Sequence, residues 1–246
     1  LSIKDSVVLR YSYYNILSGV LRGLGDSLSA LVFLLVSTAL NIVLDIIFIT
    51  RFNMGVPGVA LATVIAQGIS AILCFLKLLS MKDLFEINLK YLKLNKEYAH
   101  RLIKLGLPSG LTQGIFSLAM IIVQSLTNTF GEMIIAANVI IMRVDGFAMM
   151  PNFSFGSAMT TYTGQNIGAK KMDRVNEGTK QGTLIAVTVS TIITIIILTF
   201  GRNLMSIFTS TKELVDTSMY MMKILALGYI AMAVTQVLSG AMRGAG

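Results

Sequence analysis

Six stretches of the chain stay apolar over lengths that cross a bilayer as helix, which takes about 20 residues. They run over residues 30–50, 59–79, 107–130, 134–163, 183–200 and 219–242. A seventh, 7–21, carries Lys4, Asp5 and Arg10 in or beside it and reads as a helix whose polar side faces other protein. Barrel strands would show alternation over about ten residues. Unbroken runs of Ile, Leu, Val, Met and Ala stand here instead. The pattern predicts an all-α, polytopic helical membrane protein.

Composition agrees with the pattern. The 246 residues are 54% hydrophobic and 13% charged, with a mean hydropathy of +0.76. Cys74 and His100 are each the single residue of their type, so neither an internal disulfide nor a histidine metal site can form. The formal net charge of +8 lies between the spans and not on one basic face with interleaved aromatics, which argues for topology signals and against nucleic acid.

Those charges set an orientation. From Lys77 to Lys104 the basic residues are Lys77, Lys82, Lys90, Lys93, Lys96, Arg101 and Lys104, against Asp83, Glu86 and Glu97. Short loops rich in Lys and Arg stay in the cytoplasm. The loop at Gly131 and Glu132 has no basic residue, whereas the next carries Lys170, Lys171, Arg174 and Lys180. Sides therefore alternate as six spans require, with "RFNMG" outside and "LRGLGDS" and "MRGAG" inside. The expected location is the cell (plasma or inner) membrane, multi-pass. The chain divides into spans at 1–80, a cytoplasmic basic linker at 81–104 and further spans at 105–246. Within the linker region Tyr91, Leu94, Tyr98, Leu102 and Leu105 recur at helical spacing, which fits either an interfacial helix or a solvated segment held near anionic headgroups by its lysines.

"ILSGVLRGLG", at 16–25, returns as "VLSGAMRGAG", at 237–246, with six identities in ten positions at a constant offset of 221. Both copies close a span, and six spans separate them. An even number preserves orientation, so the repeat is parallel, with two like lobes about an axis along the membrane normal. A six-helix unit makes the fold two pseudo-symmetric six-helix lobes, both incomplete in this chain. It then holds helices four to six of one lobe and seven to ten of the other, and reads as an internal piece of a longer reading frame. Gly19 with Gly23, and Gly240 with Gly244, have the GxxxG spacing that lets helices approach closely or that marks helix ends.

Within the span "STALNIVLDIIFI" stand Asn41 and Asp45, spaced i, i+4 on one face. An Asp at a helix centre costs roughly 2.5–3.5 kcal/mol on insertion scales, so it is expected to face protein or water and to have a task, the plainer alternative being a hydrogen-bonded packing residue. If the chain reverses near Met54, Asp45 is level with Thr63 and Asn41 with Gln67. One carboxylate, two amides and a hydroxyl then face one another, a set suited to a proton or a hard monovalent cation such as Na⁺. Gln67 otherwise serves as an interhelical hydrogen-bonding residue.

These segments resemble the multidrug and toxic compound extrusion (MATE) family. The motifs are "SGVLRGLGDS", "ALNIVLDIIFI" and "GVPGVALATVIAQ" in the first lobe, and "GLPSGL" and "MRVDGFAMMPNFSFGSAMTTYTGQNIGAKK" in the second. The resemblance implies a first-lobe cation site in which an Asn and an Asp of the fifth helix and a Thr of the sixth join an Asp of the first. Asn41, Asp45 and Thr63 match the first three. Carboxylates that other members place in the seventh and tenth helices have no match in "LTQGIFSLAMIIVQS" or "YIAMAVTQVLSGAM", which speaks against a second-lobe cation site.

Other positions have two readings each. Arg143 and Asp145 are mid-span charges at i, i+2, which do not face each other, so each is expected to meet a partner on another helix as a structural charge pair. Pro151 interrupts the same span and is expected to kink it. Asn15 and Gln236 are related by the repeat offset; with Gln67, Gln113 and Met149 they are candidate cavity-lining residues. Interhelical bonding, or for the methionine packing, is the plainer alternative.

No Gly-Lys-Ser/Thr phosphate loop occurs, and no hydrolase constellation forms around a single His. The sequence thus predicts a non-enzymatic secondary transporter without cofactors, using Na⁺ or H⁺ as coupling ion and the lipid bilayer as its setting. It would export small organic, often cationic, substrates by alternating access. The alternatives are a lipid-linked precursor flippase of the same superfamily, disfavoured because Arg143 is the main basic residue within the spans, and a non-transporting membrane scaffold.

Overall fold

The structure, a computed structural model, describes the backbone of residues 3–81 and 95–246, and side chains from residue 13 onward within them. Seven α-helices run through the described residues: α1 (Ile3–Gly23), α2 (Ser27–Thr50), α3 (Gly55–Ser80), α4 (Lys96–Thr127), α5 (Glu132–Gly168), α6 (Met172–Ser206) and α7 (Lys212–Ala245). A 3₁₀ turn, Asn128–Phe130, leads from α4 into α5. Six of the helices, α2 to α7, are long and apolar enough to cross a membrane. Many of their residues are Val, Ile and Thr, modest helix formers in water. In hydrocarbon a helix satisfies every backbone group internally, and that requirement outweighs propensity.

Many large apolar side chains accordingly lie outside, Leu28, Val56 and Leu227 among them, while the helix contacts combine small residues such as Ala62 and Ala233 with large ones such as Leu21 and Tyr229. The helices also outrun the apolar stretches. α6 begins at Met172 although its hydrophobic run begins at 183, so its first three turns carry Lys180 and Glu177 beyond the hydrocarbon zone. α5 continues as helix through Pro151.

Two compact units divide the chain, Leu1–Lys93 and Leu94–Gly246. Of the predicted linker, residues 82–94, with Tyr91 and Leu94, lie outside the described residues; the part from Lys96 to Lys104 is the start of α4.

In the first unit, Tyr14 and Leu21 of α1 pack with Ala30 of α2 and with Cys74 and Leu78 of α3. The Tyr14 hydroxyl donates to the Ala30 carbonyl at 3.4 Å. α1 ends as the repeat motif dictates. Asp26 N–H donates to Leu21 O at 2.9 Å and Gly25 N–H to Arg22 O at 3.1 Å, the paired bonds that close a helix on a left-handed residue. Gly25 supplies that residue at φ +96°.

Asp26 then caps α2. Its Oδ1 accepts from Ser29 N–H at 3.0 Å and its Oδ2 from the Ser29 hydroxyl at 2.7 Å. Lys77, in the last turn of α3, lies 3.4 Å from the same carboxylate. The Ser29 N–H, then its hydroxyl and, against partial burial, Lys77 hold the Asp26 carboxyl below its ordinary 3.8. A lowered folded value means stability that is present above pH about 4 and lost as pH falls through the folded value. Asp26→Ala is therefore expected to lower stability by about 1 kcal/mol at neutral pH. The difference from wild type should shrink below pH 4, as measured by thermal unfolding in detergent. A pH-independent difference would refute the cap.

In the second unit α5, α6 and α7 share a core of Ile140, Ile141, Val144, Ile197, Met222 and Tyr229. α5 and α7 cross on glycines: a Cβ on Gly240 would collide with the Gly156 carbonyl, and one on Gly244 with the Thr160 carbonyl. Of the two readings of GxxxG, close approach holds for this copy. At Gly19 and Gly23, the other copy, an added Cβ would meet nothing within 4 Å among the described residues. α4 has no buried residue and meets α5 near its end through amides, Asn138 Nδ2 donating to Gln124 Oε1 at 3.4 Å.

Candidate cation site between two antiparallel helices

α2 and α3 form an antiparallel hairpin whose register three contacts fix. Lys77 meets Asp26, Ser70 Oγ donates to Phe33 O at 3.2 Å, and Asn41 Nδ2 donates to Thr63 Oγ1 at 3.4 Å. The midpoints of these pairs fall at residues 51 to 52. This corrects the expected reversal at Met54: Thr63 is level with Asn41 and not with Asp45, a shift of about one turn. Asn53 and Gly55, at φ +49° and +57°, turn the chain back within the four residues between Thr50 and Gly55, and Met54 N–H closes onto Phe48 O at 3.0 Å. The helix ends are thereby centred earlier than the apolar pattern suggests.

Asn41, Asp45, Thr63 and Gln67 all lie half-buried along this hairpin. The Thr63 hydroxyl donates to Val59 O at 3.0 Å, which leaves its oxygen to accept the Asn41 amide. Among the described residues, Asp45 Oδ1 is sealed from solvent and accepts no hydrogen bond, and the same is true of Gln67 Oε1. An acceptor left buried without a donor costs about 1–3 kcal/mol, so such atoms persist where another ligand or role compensates. Two unpartnered acceptors thus stand near the Asn41–Thr63 bond, one of them a carboxylate oxygen. Oxygen donors suit a hard cation, and Asp45 is a titratable group of the kind a proton site needs.

The remaining predicted residues are placed otherwise. Arg143 is exposed, and no ion pair joins it to Asp145 or to any other carboxylate among the described residues, so the expected charge pair is not formed here. Asp145 is half-buried on α5. The hydroxyl of Tyr229 on α7 donates to Met222 Sδ at 3.2 Å. Met149 packs against the α5–α7 core, and Gln113 is exposed on α4. Asn15 is exposed on α1, whereas its repeat partner Gln236 is half-buried against Gly156. An open groove of about 840 Å³ along α6, lined by Asn176, Lys180, Thr183, Leu184 and Leu238 among others, contains none of the predicted residues.

Sequence reasoning missed Asn152. It is 1% exposed, and its Nδ2 donates to Tyr229 O at 3.3 Å, tying α5 to α7 beside Pro151. An amide directly after a mid-span proline was the available signal, because proline leaves a helix short of one bond and favours extra polar contacts nearby. Tyr229 was missed as well, since an aromatic in an apolar run gives no hint of its hydroxyl partner.

The MatE family model matches residues 108–246, more than half of the chain. Among curated proteins, the probable multidrug resistance protein YpnP of Bacillus subtilis (strain 168) is 31% identical over 233 residues, covering 95% of this chain and 52% of that protein. The probable multidrug resistance protein NorM of Thermotoga maritima is 26% identical, covering 96% of this chain and 52% of its own length. Among solved structures, the outward-facing conformation of a multidrug resistance MATE family transporter of the MOP superfamily superposes with a TM-score of 0.86 at 25% identity, covering 94% of this chain and 52% of that one. The chain spans about half the length of the curated relatives it matches.

Proposed function

We propose, because this chain belongs to the multidrug and toxic compound extrusion (MATE) family of multi-pass membrane transporters, that its α2–α3 hairpin holds the coupling-cation site of a secondary exporter. Occupation of that site by Na⁺ or H⁺ biases the transporter between inward-open and outward-open states, and so drives export of small organic, often cationic, compounds across the cell membrane. The observation that carries the reading is Asp45 Oδ1, buried in a membrane span without a donor, one turn from the Asn41–Thr63 bond. Asn41, Asp45 and Thr63 are also the positions that match the family's first-lobe site. A ligand shifts an equilibrium only through differential affinity for the two states. A buried carboxylate beside neutral oxygens provides it, since its charge is compensated when the cation is bound and exposed to a low dielectric when it is not.

Residues 81–104 are assigned to the cytoplasmic side by their excess of lysine and arginine, which sets inward and outward for the cycle. The test is export by the complete protein in proteoliposomes under an imposed Na⁺ or pH gradient. Wild type is expected to respond to one of these gradients and Asp45→Asn to neither. Gradient-driven export that survives Asp45→Asn would remove Asp45 from the mechanism.

A further inference from the structure

We propose that the groove along α6 binds an anionic phospholipid of the cytoplasmic leaflet, a role independent of the cation site. The groove holds about 840 Å³. Its α6 wall is a single stripe, in which Asn176, Thr179, Lys180, Thr183, Leu184 and Val187 recur at helical spacing over about 16 Å of helix. Leu238 of α7 lines it as well. Polarity changes along the stripe. Asn176, Thr179 and Lys180 precede the apolar run that begins at 183, whereas Leu184 and Val187 lie within it. A groove that is cationic at the headgroup level and apolar in the hydrocarbon has the profile of an amphiphile lying along the bilayer normal.

Among the lining residues only Lys180 is charged, and no ion pair joins it to a carboxylate among the described residues. Glu177, about one turn earlier, accepts from Gln181 Nε2 at 2.7 Å and does not line the groove. Every Cα–Cβ bond of a helix tilts toward its N-terminus. For α6 that end follows the loop of Lys170 and Lys171, on the side that the excess of basic residues assigns to the cytoplasm. Lys180 can therefore lay its methylenes along the groove and carry its ammonium to the phosphate level. The hydroxyls of Thr179 and Thr183 donate to Val175 O and Thr179 O, both at 2.7 Å, which leaves their oxygens able to accept from a headgroup hydroxyl.

Charge and shape together decide between occupants. An organic cation would be repelled by an unpaired ammonium. A soluble anion would use Lys180 and leave Leu184, Val187 and Leu238 without a partner. An anionic phospholipid uses both ends: its phosphate neutralises Lys180, and an acyl chain covers the apolar wall. Such lipids are drawn to basic segments on the cytoplasmic side, and basic pockets between transmembrane helices there bind their headgroups. A zwitterionic lipid offers the same chains without the net charge.

The experiment titrates the complete purified protein in detergent with dioleoylphosphatidylglycerol or dioleoylphosphatidylcholine and counts bound lipid by native mass spectrometry. Wild type, Lys180→Gln, Lys180→Arg and Lys171→Gln are compared. Wild type is expected to prefer phosphatidylglycerol. Lys180→Gln should weaken phosphatidylglycerol binding about fivefold and leave phosphatidylcholine unchanged, while Lys180→Arg keeps the preference. Lys171, exposed just before α6 and outside the groove, is the control, and its substitution should cost clearly less. Phosphatidylglycerol with a photoreactive acyl chain should label wild type around Leu184 and Val187. Equal losses at Lys171 and Lys180 would reduce the effect to general surface charge and overturn the site. So would the lack of any preference for the anionic lipid, or label absent from α6, the result expected if another segment of the complete protein fills the groove. Glycerol phosphate binding as tightly as phosphatidylglycerol would assign the groove to a soluble anion and overturn the lipid as its ligand.

Discussion

Gly240→Val is expected to destabilise the second unit by at least about 3 kcal/mol, the upper end for overpacking, because the obstacle is backbone. A Cβ at Gly240 would strike the carbonyl of Gly156, and neither helix can yield there by rotating a side chain. α5 and α7 would have to separate. That would open the contacts of Gln236 on Gly156 and of Gly244 on Thr160, and strain the Asn152 bond to Tyr229 O. The repeat supplies the control. Gly19 occupies the same position of the same motif, 221 residues earlier, and has nothing within 4 Å of where its Cβ would lie. Gly19→Val in this chain should shift stability by no more than about 0.5 kcal/mol. Thermal unfolding of the two purified variants in detergent decides the matter, and equal losses would show that the close crossing is not what the glycines serve.

Asp45→Leu should separate stability from function. Its buried oxygen has no donor, so replacing the carboxylate with an apolar side chain of similar size removes a cost and adds packing between α2 and α3. The expected gain is about 1 kcal/mol, at the low end because Asp45 is only half-buried. Export driven by the Na⁺ or pH gradient should at the same time be lost. A residue that lowers stability where it stands and raises it when removed is retained for function, the usual trade at an active position. A lower thermal midpoint in Asp45→Leu would show instead that the carboxylate is a packing residue with partners of its own.

These two expectations mark different degrees of legibility. Asp45 stood out in the sequence because a bilayer has one dominant rule. Apolar length defines a span, and a carboxylate inside it is an exception that requires a reason. Six predicted spans became the six membrane-length helices for the same cause. The motif at 16–25 was legible too, and Gly25 takes the positive φ that its place after α1 requires. Arg143 was less legible, because nothing local tells a charge where its partner stands; it is exposed and joins no ion pair among the described residues.

The sequence by itself determined the helical class, the spans and the family, because hydrocarbon permits few backbone solutions and each leaves a long, local, one-dimensional trace. Only the tertiary structure decided that Thr63 faces Asn41 and not Asp45, since two left-handed residues in a short turn move a whole helix by one turn. It also decided that Gly156, Gly240 and Gly244 make a tight crossing of α5 and α7, and that Asn152 ties the same two helices together. Those outcomes depend on which surfaces meet at ångström range between residues far apart in the chain, and apolar periodicity carries no record of that.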